Sequence, residues 1–247
     1  MRAETPKNSE AKQRIVSASL SLFSRKGFDA TSVNEIAEEA KVTKALIYYY
    51  FKSKEEILDH LIQSMLGDWT LIARDFISKN IVQMIKDGRL DIKPDGPRFI
   101  DEAAMSDFLE NSMTFFRRML GFGLISRPIL RIMMLESLKT SKHHDELLSL
   151  LDVKSRTADN LLFKAIAEAD DHSVVSKDIV LFEFFFFIIP FVCFATYYDD
   201  CKEVSGLSDK ELEETFLRSI RAVLKSMISG SDILYTESRL QQAEPRG

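Results

Sequence analysis

The 247-residue chain contains little glycine, proline or cysteine: 9 Gly, 6 Pro and 2 Cys. It also lacks segments in which apolar and polar residues alternate between turn residues, the pattern of half-buried strands. Both absences favour helices over strands. Hydrophobic residues make up 45% of the chain and charged residues 29%, which is ordinary for a globular protein with a substantial core. We therefore predict an all-α fold.

The two cysteines, Cys193 and Cys201, are eight residues apart. Cys193 lies in an apolar run and is expected to be buried, and both are expected to be free thiols in a reducing compartment. The N-terminal residues MRAETPKNSEAKQR are polar and contain no apolar stretch of signal-peptide length. A cytoplasmic location is therefore expected.

The net charge of −5 is distributed unevenly along the chain. Residues 1–60 carry 10 Lys and Arg against 9 Asp and Glu, whereas the remaining residues carry 23 against 29. A sequence-specific nucleic-acid-binding protein needs a few well-placed cations and not a basic domain. The acidic total therefore does not exclude DNA binding, but it predicts weak non-specific binding.

The first 77 residues show a regular succession of helix signals. Between Ser9 and Lys26, apolar residues recur at the spacing of one helix face, and Gly27 follows where a left-handed C-cap is expected. Three further start signals follow: the Ser32–Glu35 capping box, Thr43 as an N-cap and the Ser53–Glu56 capping box. We predict three short helices and a longer fourth helix that ends near Ile77.

The remaining elements are predicted from longer apolar patterns and from turn residues. Residues 86–97 (KDGRLDIKPDGP) are the part of the chain richest in helix-breaking residues and are predicted to form a loop. Further helices are expected at 101–125, 128–141, 144–170 and 176–199, and from the Ser208–Glu211 cap to about Ile228.

Aromatic and basic residues cluster on the third predicted helix. The run Tyr48–Tyr50 has Lys44 before it and Lys54 after it. Such groups on a short exposed helix suit a DNA groove better than a protein core. The segment AEEAKVTKAL fits a helix-turn-helix, in which the second helix enters the major groove. This pattern alone is weak evidence, because helix–turn–helix corners are common in helical proteins.

The longer segment SLFSRKGFDATSVNEIAEEAKVTKALIYYYFKSKEEIL resembles the N-terminal domain of the tetracycline-repressor-like (TetR) transcriptional regulators. The matching residues are Phe23, Gly27-Phe28, Thr31-Ser32-Val33, Ile36-Ala37, Val42, Ile47-Tyr48, Tyr50-Phe51 and Ser53-Lys54-Glu55. Lys41 stands where the family usually has Gly in the turn. If the backbone there is left-handed, a non-Gly residue costs about 1 kcal/mol.

The resemblance implies that residues 1–55 form a DNA-binding domain. The residues expected to contact DNA are Thr31, Ser32, Asn34, Thr43, Lys44, Ala45, Tyr48, Tyr49 and Lys54. Thr31 and Ser32 open the second helix, where they are expected to hold a phosphate, to cap the helix, or to do both. Lys54 begins the fourth helix and is expected to clamp a phosphate.

Residues of the recognition helix have separate expected roles. Lys44 bonds either guanine O6 and N7 or a phosphate, and Ala45 is small enough to contact a thymine methyl group. Tyr48 and Tyr49 are expected to pack on sugar or thymine methyl groups and to bond phosphates through their hydroxyls. Tyr50 is expected to pack in the core.

The resemblance further implies that residues 56–247 bind a small-molecule effector and dimerise. Large aromatics mixed with Met suit an adaptable apolar pocket, although such residues also simply fill cores. The predicted pocket residues are Phe108, Met113, Phe116, Met119, Phe122, Met133 and Phe186. Two late helices are predicted to form the dimer interface through Phe187, Phe191, Phe194, Phe216, Ile220, Val223 and Met227.

Two other kinds of protein were compatible with parts of the sequence. The run Ile179–Tyr198 has the length of a membrane span, but Glu183 lies inside it, Pro190 interrupts it, and Asp199 and Asp200 follow directly. A buried helix is preferred to a membrane-associated one. A helical enzyme using the C-terminal pocket is the other alternative, and no nucleophile–base pair, metal-ligand spacing or phosphate loop supports it.

No catalytic residue, metal site or cofactor is predicted. The adjacent histidines of His143-His144-Asp145 would point about 100° apart on a helix, so a solvated helix start is expected there instead of a metal site. The leading hypothesis is a homodimeric repressor that a small apolar or amphipathic effector releases from double-stranded DNA. Its two recognition helices would read a palindromic operator with half-sites about 34–36 Å apart.

Overall fold

The computed structural model describes residues 6–93, 96–140, 142–151 and 179–228. Within these ranges the regular elements are helices apart from one hairpin, so the all-α class is confirmed. The N-terminal elements are α1 (Pro6–Lys26), α2 (Val33–Glu39), α3 (Lys44–Tyr50), α4 (Lys54–Phe76), a π-helix (Ile77–Val82) and α5 (Gln83–Lys86). The next are β1 (Leu90–Lys93), β2 (Gly96–Phe99), α6 (Glu102–Ile125), α7 (Arg127–Ser137) and a 3₁₀ helix (Leu148–Leu151). The last are α8 (Ile179–Glu183), a π-helix (Phe184–Ile188), α9 (Ile189–Thr196), α10 (Tyr198–Ser205) and α11 (Asp209–Ile228).

The chain divides into two compact units. The N-terminal unit comprises the described residues up to Asp68 together with Ile125–Leu147, and the second unit comprises Trp69–Leu124 and the described residues from Leu148 onward. The boundary predicted at residue 55 therefore lies inside the N-terminal unit, which contains the first part of α4 and the whole of α7.

The N-terminal unit has an apolar core drawn from all of its helices. The side chains with almost no exposed surface include Ile15, Phe23, Ile36, Ile47, Ile57, Leu130 and Met133. The last two belong to α7, which packs against α1. Met133, predicted from the sequence to line the effector pocket, lies in this core instead, because α7 belongs to the N-terminal unit.

The hairpin of β1 and β2 occupies most of the loop predicted at residues 86–97. The strands pair antiparallel with Leu90 opposite Phe99. Leu90 is 3% exposed and clusters with Met84 and Ala104, and Phe99 packs against the same cluster. Burial of these side chains stabilises the pairing. The loop prediction was wrong because the residues that mark loops also mark hairpin connections.

The helix predicted at 144–170 lies mostly outside the described residues. Its described beginning is not α-helical: residues 142–147 form turns, and Leu148–Leu151 forms the 3₁₀ helix.

The apolar run predicted as one helix at 176–199 is divided into several elements in its described part. Pro190 lies in the first turn of α9, and it lacks the N–H that would continue an α-helical ladder, which accounts for the π-helix before it. Leu181–Thr196 and Tyr198–Ser205 are bent by 75° relative to each other. In the described part of the chain no single helix is long and apolar enough to span a membrane, although this bent pair meets the length and composition criterion when taken together.

Candidate DNA interface and apolar cavity

The turn between α2 and α3 depends on the backbone of Lys41. Ala40 is the C-cap of α2, and Lys41 adopts the left-handed conformation with φ 53°. The Val42 N–H donates to the Ala37 carbonyl (2.9 Å) and the Lys41 N–H to the Glu38 carbonyl (3.1 Å). These are the two bonds of a Schellman motif. Lys41 therefore adopts the left-handed conformation that glycine usually takes at this position of the motif.

Helix α3 has one buried face and one exposed face. The Thr43 hydroxyl caps the helix by accepting a bond from the Leu46 N–H (3.2 Å). Ile47 is 1% exposed and Phe51 3%, and these two side chains fix α3 on the core. The opposite face consists of the exposed residues Thr43, Lys44, Ala45, Tyr48 and Tyr49.

The three tyrosines have different surroundings. Tyr49 is 72% exposed and Tyr48 48%, whereas Tyr50 is half-buried. The Tyr49 ring meets the Tyr50 ring edge-on, with centroids 5.0 Å apart, and the Lys44 Nζ lies 5.9 Å from the centroid of the Tyr48 ring. One ammonium and two phenol rings thus share the exposed face. The exposure of Tyr48 and Tyr49 agrees with the expected division, whereas Tyr50 is half-buried and not fully in the core. DNA contact by these residues stays a prediction.

Thr31 points inward at the start of α2. It is 2% exposed, and its hydroxyl donates to the Gly27 carbonyl (2.8 Å). The neighbouring Ser32 and Asn34 are exposed. Of these expected contacts, Ser32 and Asn34 are therefore the accessible ones, and a phosphate contact by Thr31 stays a prediction.

Ser32 forms the predicted capping box with Glu35. Its Oγ accepts from the Glu35 N–H (3.3 Å), and its own N–H donates to the Glu35 carboxylate (2.8 Å). A hydrogen bond from Lys26 and the bonds from Ser32 together lower the pKa of Glu35 to about 2. A carboxylate therefore occupies the helix start, where a phosphate would otherwise be attracted by the helix dipole.

Lys54 directs its ammonium group at the loop between α1 and α2. Its Nζ donates to the carbonyls of Phe28 (2.8 Å) and Thr31 (2.9 Å), with a longer contact to that of Asp29 (3.4 Å). The ammonium also lies 4.3 Å from the centroid of the Phe28 ring. These contacts make Lys54 a positioning residue that ties the loop to the start of α4. Its direct contact with phosphate stays a prediction.

The turn after α7 holds the same loop and α4 by ion pairs. The Lys139 Nζ lies 2.7 Å from the carboxylates of both Asp29 and Glu136, and the Lys142 Nζ lies 2.6 Å from that of Asp59. The hydrogen bond from Lys139 lowers the pKa of Asp29. The bonds to Asp29 and Glu136 raise the pKa of Lys139.

His143 lies in the same turn and is buried. It is 2% exposed, its ring meets that of Phe28 edge-on at 6.3 Å, and its Nδ1 is 3.7 Å from the Asp59 carboxylate. The solvated helix start predicted at this position was therefore wrong, because the turn folds onto the N-terminal unit. Among the described residues, no group of three His, Cys, Asp or Glu is placed to hold a metal ion.

The second unit contains an apolar cavity of about 150 Å³. Its aromatic and thioether walls include Trp69, Phe76, Phe116, Met119, Phe187 and Phe191. Phe116 and Phe187 stack with centroids 5.2 Å apart, and Trp69 meets Phe191 edge-on at 5.3 Å. A cavity with this lining suits an apolar or aromatic ligand.

Glu183 interrupts the apolar lining. It is the only ionisable side chain among the described residues that line the cavity, and burial raises its pKa to about 7. A carboxyl group in such surroundings is held near the midpoint of its titration at neutral pH.

The predicted pocket residues are only partly brought together. Phe116 and Met119 line the cavity, and Phe122 packs on Trp69 with centroids 6.4 Å apart. The other predicted residues do not line the cavity. Phe108 packs against Phe76 and Phe99, and Met113 is half-buried. Met133 lies in the N-terminal unit, and Phe186 is 42% exposed and stacks on Phe182. The contributions of Trp69 and Phe76 were missed, although their spacing along α4 places them on one helix face.

Most of the predicted interface residues pack within the subunit. Phe187 and Phe191 line the cavity, Phe194 stacks on Phe216 with centroids 4.2 Å apart, and Ile220 is 3% exposed. Val223 and Met227 are half-buried. The large apolar residues that the late helices expose include Leu181, Phe185 and Phe186. Participation of the predicted residues in a dimer stays a prediction.

The N-terminal part of the chain matches known proteins in sequence. The model of the bacterial regulatory proteins of the tetR family matches residues 15–61. YerO, an uncharacterized HTH-type transcriptional regulator of Bacillus subtilis, is 34% identical over 104 residues, which are 40% of this chain and 34% of the relative. YttP, a probable HTH-type regulator of the same species, is 47% identical over 51 residues, 21% of this chain and 25% of the relative. The chain thus spans about a third or less of the length of these curated relatives.

Solved structures resemble the chain over most of its length. A Clostridium perfringens protein assigned as a fatty acid metabolism regulator has a TM-score of 0.54 at 18% identity, with 90% of this chain and 100% of that chain covered. The regulator FadR from Bacillus subtilis, solved in complex with stearoyl-CoA, has a TM-score of 0.51 at 16% identity, with 89% and 99% covered. At these identities the likeness shows the fold alone. The match over residues 15–61 shows that the N-terminal domain is of the tetR family of bacterial regulatory proteins, and the solved structures show the fold that the whole chain shares with them.

Proposed function

We propose that this protein is a ligand-responsive transcriptional repressor that binds a palindromic DNA operator as a homodimer. A regulator of this kind binds chromosomal DNA, so the proposal includes a cytoplasmic location. The proposal assigns the protein no catalytic role.

The observation that carries the proposal is the exposed face of α3. Thr43, Lys44, Ala45, Tyr48 and Tyr49 are exposed on a helix whose other face is buried. This is the arrangement that a recognition helix needs, because its side chains must reach base edges while the helix is held rigidly. Since residues 1–60 are nearly neutral, specificity depends on these placed groups and little on bulk charge.

The cavity of the second unit supports ligand response. It is lined by aromatic side chains and encloses about 150 Å³, and the FadR structure that shares the fold was solved with stearoyl-CoA. An effector with an apolar body would fill it. Release of DNA requires the effector to bind more tightly to the conformation that does not fit the operator, with a coupling of about 1–3 kcal/mol.

A mobility-shift titration against the DNA upstream of the protein's own gene tests the proposal. The control is the same DNA with its sequence shuffled. We expect the upstream DNA to be bound at least about 1,000-fold more tightly, with two protomers per site by analytical ultracentrifugation. Equal affinity for both DNAs over a range of salt concentrations would contradict a sequence-specific regulator.

A further inference from the structure

Glu183 lies at the wall of the apolar cavity, and no other described residue of the wall carries a charge. The other described residues of the lining are apolar, and burial is what raises the pKa of the carboxyl group. No described residue donates a hydrogen bond or forms an ion pair with it. A desolvated carboxylate that no described residue pairs is unfavourable, and a cation brought by a ligand would offset that loss.

The rings around the cavity favour the same kind of ligand. Trp69, Phe116 and Phe187 line it together with Glu183, and aromatic faces attract cations most strongly when water is excluded. A ligand carboxylate in this position would instead be repelled by the ionised Glu183. The lining therefore distinguishes a cationic end group from an anionic one.

We propose that the cavity binds an effector with a small apolar body and a protonated amine that pairs with Glu183. This inference rests on the proposed function, because it names the chemical class of the effector that the regulator senses. A cavity of about 150 Å³ has the size of one that accepts a single benzene ring. The effector is thus an arylalkylamine or an alkylamine of similar bulk.

Three probes with the same aromatic body test the proposal: phenethylamine, 2-phenylethanol and phenylacetate. Binding to the full-length protein is measured by isothermal titration calorimetry at pH 8, where Glu183 is mostly ionised. We expect phenethylamine to bind most tightly and phenylacetate most weakly. In Glu183→Gln, the affinity for phenethylamine should fall about 30-fold or more, whereas the affinity for 2-phenylethanol should change less than about twofold.

Two further variants locate the binding site. Glu203→Gln removes an exposed carboxylate of α10 and should leave the affinity for phenethylamine unchanged. Ala73→Leu adds bulk to the cavity wall and should weaken all three probes. The proposal is overturned if phenethylamine fails to bind at millimolar concentrations, if either of the other probes binds as tightly, or if Glu183→Gln binds phenethylamine like the unaltered protein.

DNA binding without any probe separates this inference from the proposed function. If the protein binds its operator but not phenethylamine, the proposed function stands and the assignment of an amine effector is contradicted. If the protein binds phenethylamine in the predicted way but no specific DNA, the assignment of the cavity stands and the proposed regulatory function is contradicted. When both hold, saturating phenethylamine should weaken operator binding in the unaltered protein and not in Glu183→Gln.

Discussion

The ammonium group of Lys54 lies 2.8 Å from the carbonyl oxygen of Phe28 and 4.3 Å from the centroid of its ring. The same group donates to the Thr31 carbonyl. One side chain thereby joins the start of α4 to the loop that leads into α2. The ammonium of Lys54 thus donates to backbone carbonyls, whereas the Lys44 Nζ lies on the exposed face of α3, 5.9 Å from the centroid of the Tyr48 ring.

Replacing Lys54 with Met should destabilise the protein by about 1–3 kcal/mol, because hydrogen bonds from a charged donor are lost. Urea unfolding measures the change, and Lys52→Met, at an exposed neighbouring position, is the matched control with little expected effect. An unchanged unfolding free energy combined with weaker DNA binding would show that Lys54 serves the phosphate and not the loop.

Replacing Lys41 with Gly should stabilise the protein by up to about 1 kcal/mol. The left-handed backbone at φ 53° strains any residue with a Cβ, and glycine relieves that strain. The relief is partly offset by the greater conformational freedom of Gly in the unfolded chain. Lys41→Ala retains the Cβ and should leave the unfolding free energy nearly unchanged. If both variants shift it equally, the charge of Lys41 and not its backbone conformation determines the effect.

Replacing Gly123 with Ala should destabilise the second unit by about 1–3 kcal/mol. A Cβ at this position would overlap the buried ring of Phe191, whereas a Cβ at Gly121 meets nothing within 4 Å. Gly121→Ala, in the same helix, should therefore be neutral or stabilising by up to about 1 kcal/mol. Thermal unfolding of the two variants compares them directly, and equal stability would contradict the close packing of Phe191.

Glu183 should make the stability of the protein fall between about pH 4.5 and pH 7. Folding raises the pKa of this carboxyl from 4.5 to about 7, so the native state binds its proton more tightly than the unfolded state does. The contribution of Glu183 to the free energy of unfolding is complete below pH 4.5. It is lost as the pH rises through 7, at up to about 1.4 kcal/mol per pH unit. The unfolding free energy of Glu183→Gln should lack this slope, and Glu203→Gln controls for the loss of a charge. If the unfolding free energies of the unaltered protein and Glu183→Gln changed with pH in parallel, the raised pKa of Glu183 would be contradicted.

Local signals predicted several helix starts and the exposed face of α3. The capping boxes at Ser32 and Ser208 form as expected, since they depend on residues three positions apart. The exposure of Tyr48 and Tyr49 likewise follows from helical periodicity once Ile47 is placed in the core. These features are determined within one or two turns of helix.

Features that depend on distant contacts were not predicted. The placement of α7 in the N-terminal unit brings Met133 beside α1 and buries His143, and neither residue carries a local signal of its partner. The cavity combines Trp69 from α4 with Phe191 from α9. Apolar periodicity marks both as buried without showing which helix faces meet.

The affinity of Tyr49→Ala for the upstream DNA tests the central claim most directly. Its control is Tyr197→Ala, which removes a tyrosine that is 53% exposed in the second unit, compared with 72% for Tyr49. In a mobility-shift assay, the account predicts that Tyr49→Ala weakens specific binding about 5- to 150-fold and that Tyr197→Ala binds like the unaltered protein. Undiminished binding by Tyr49→Ala, or an equal loss in both variants, would contradict the assignment of α3 as the helix that reads DNA.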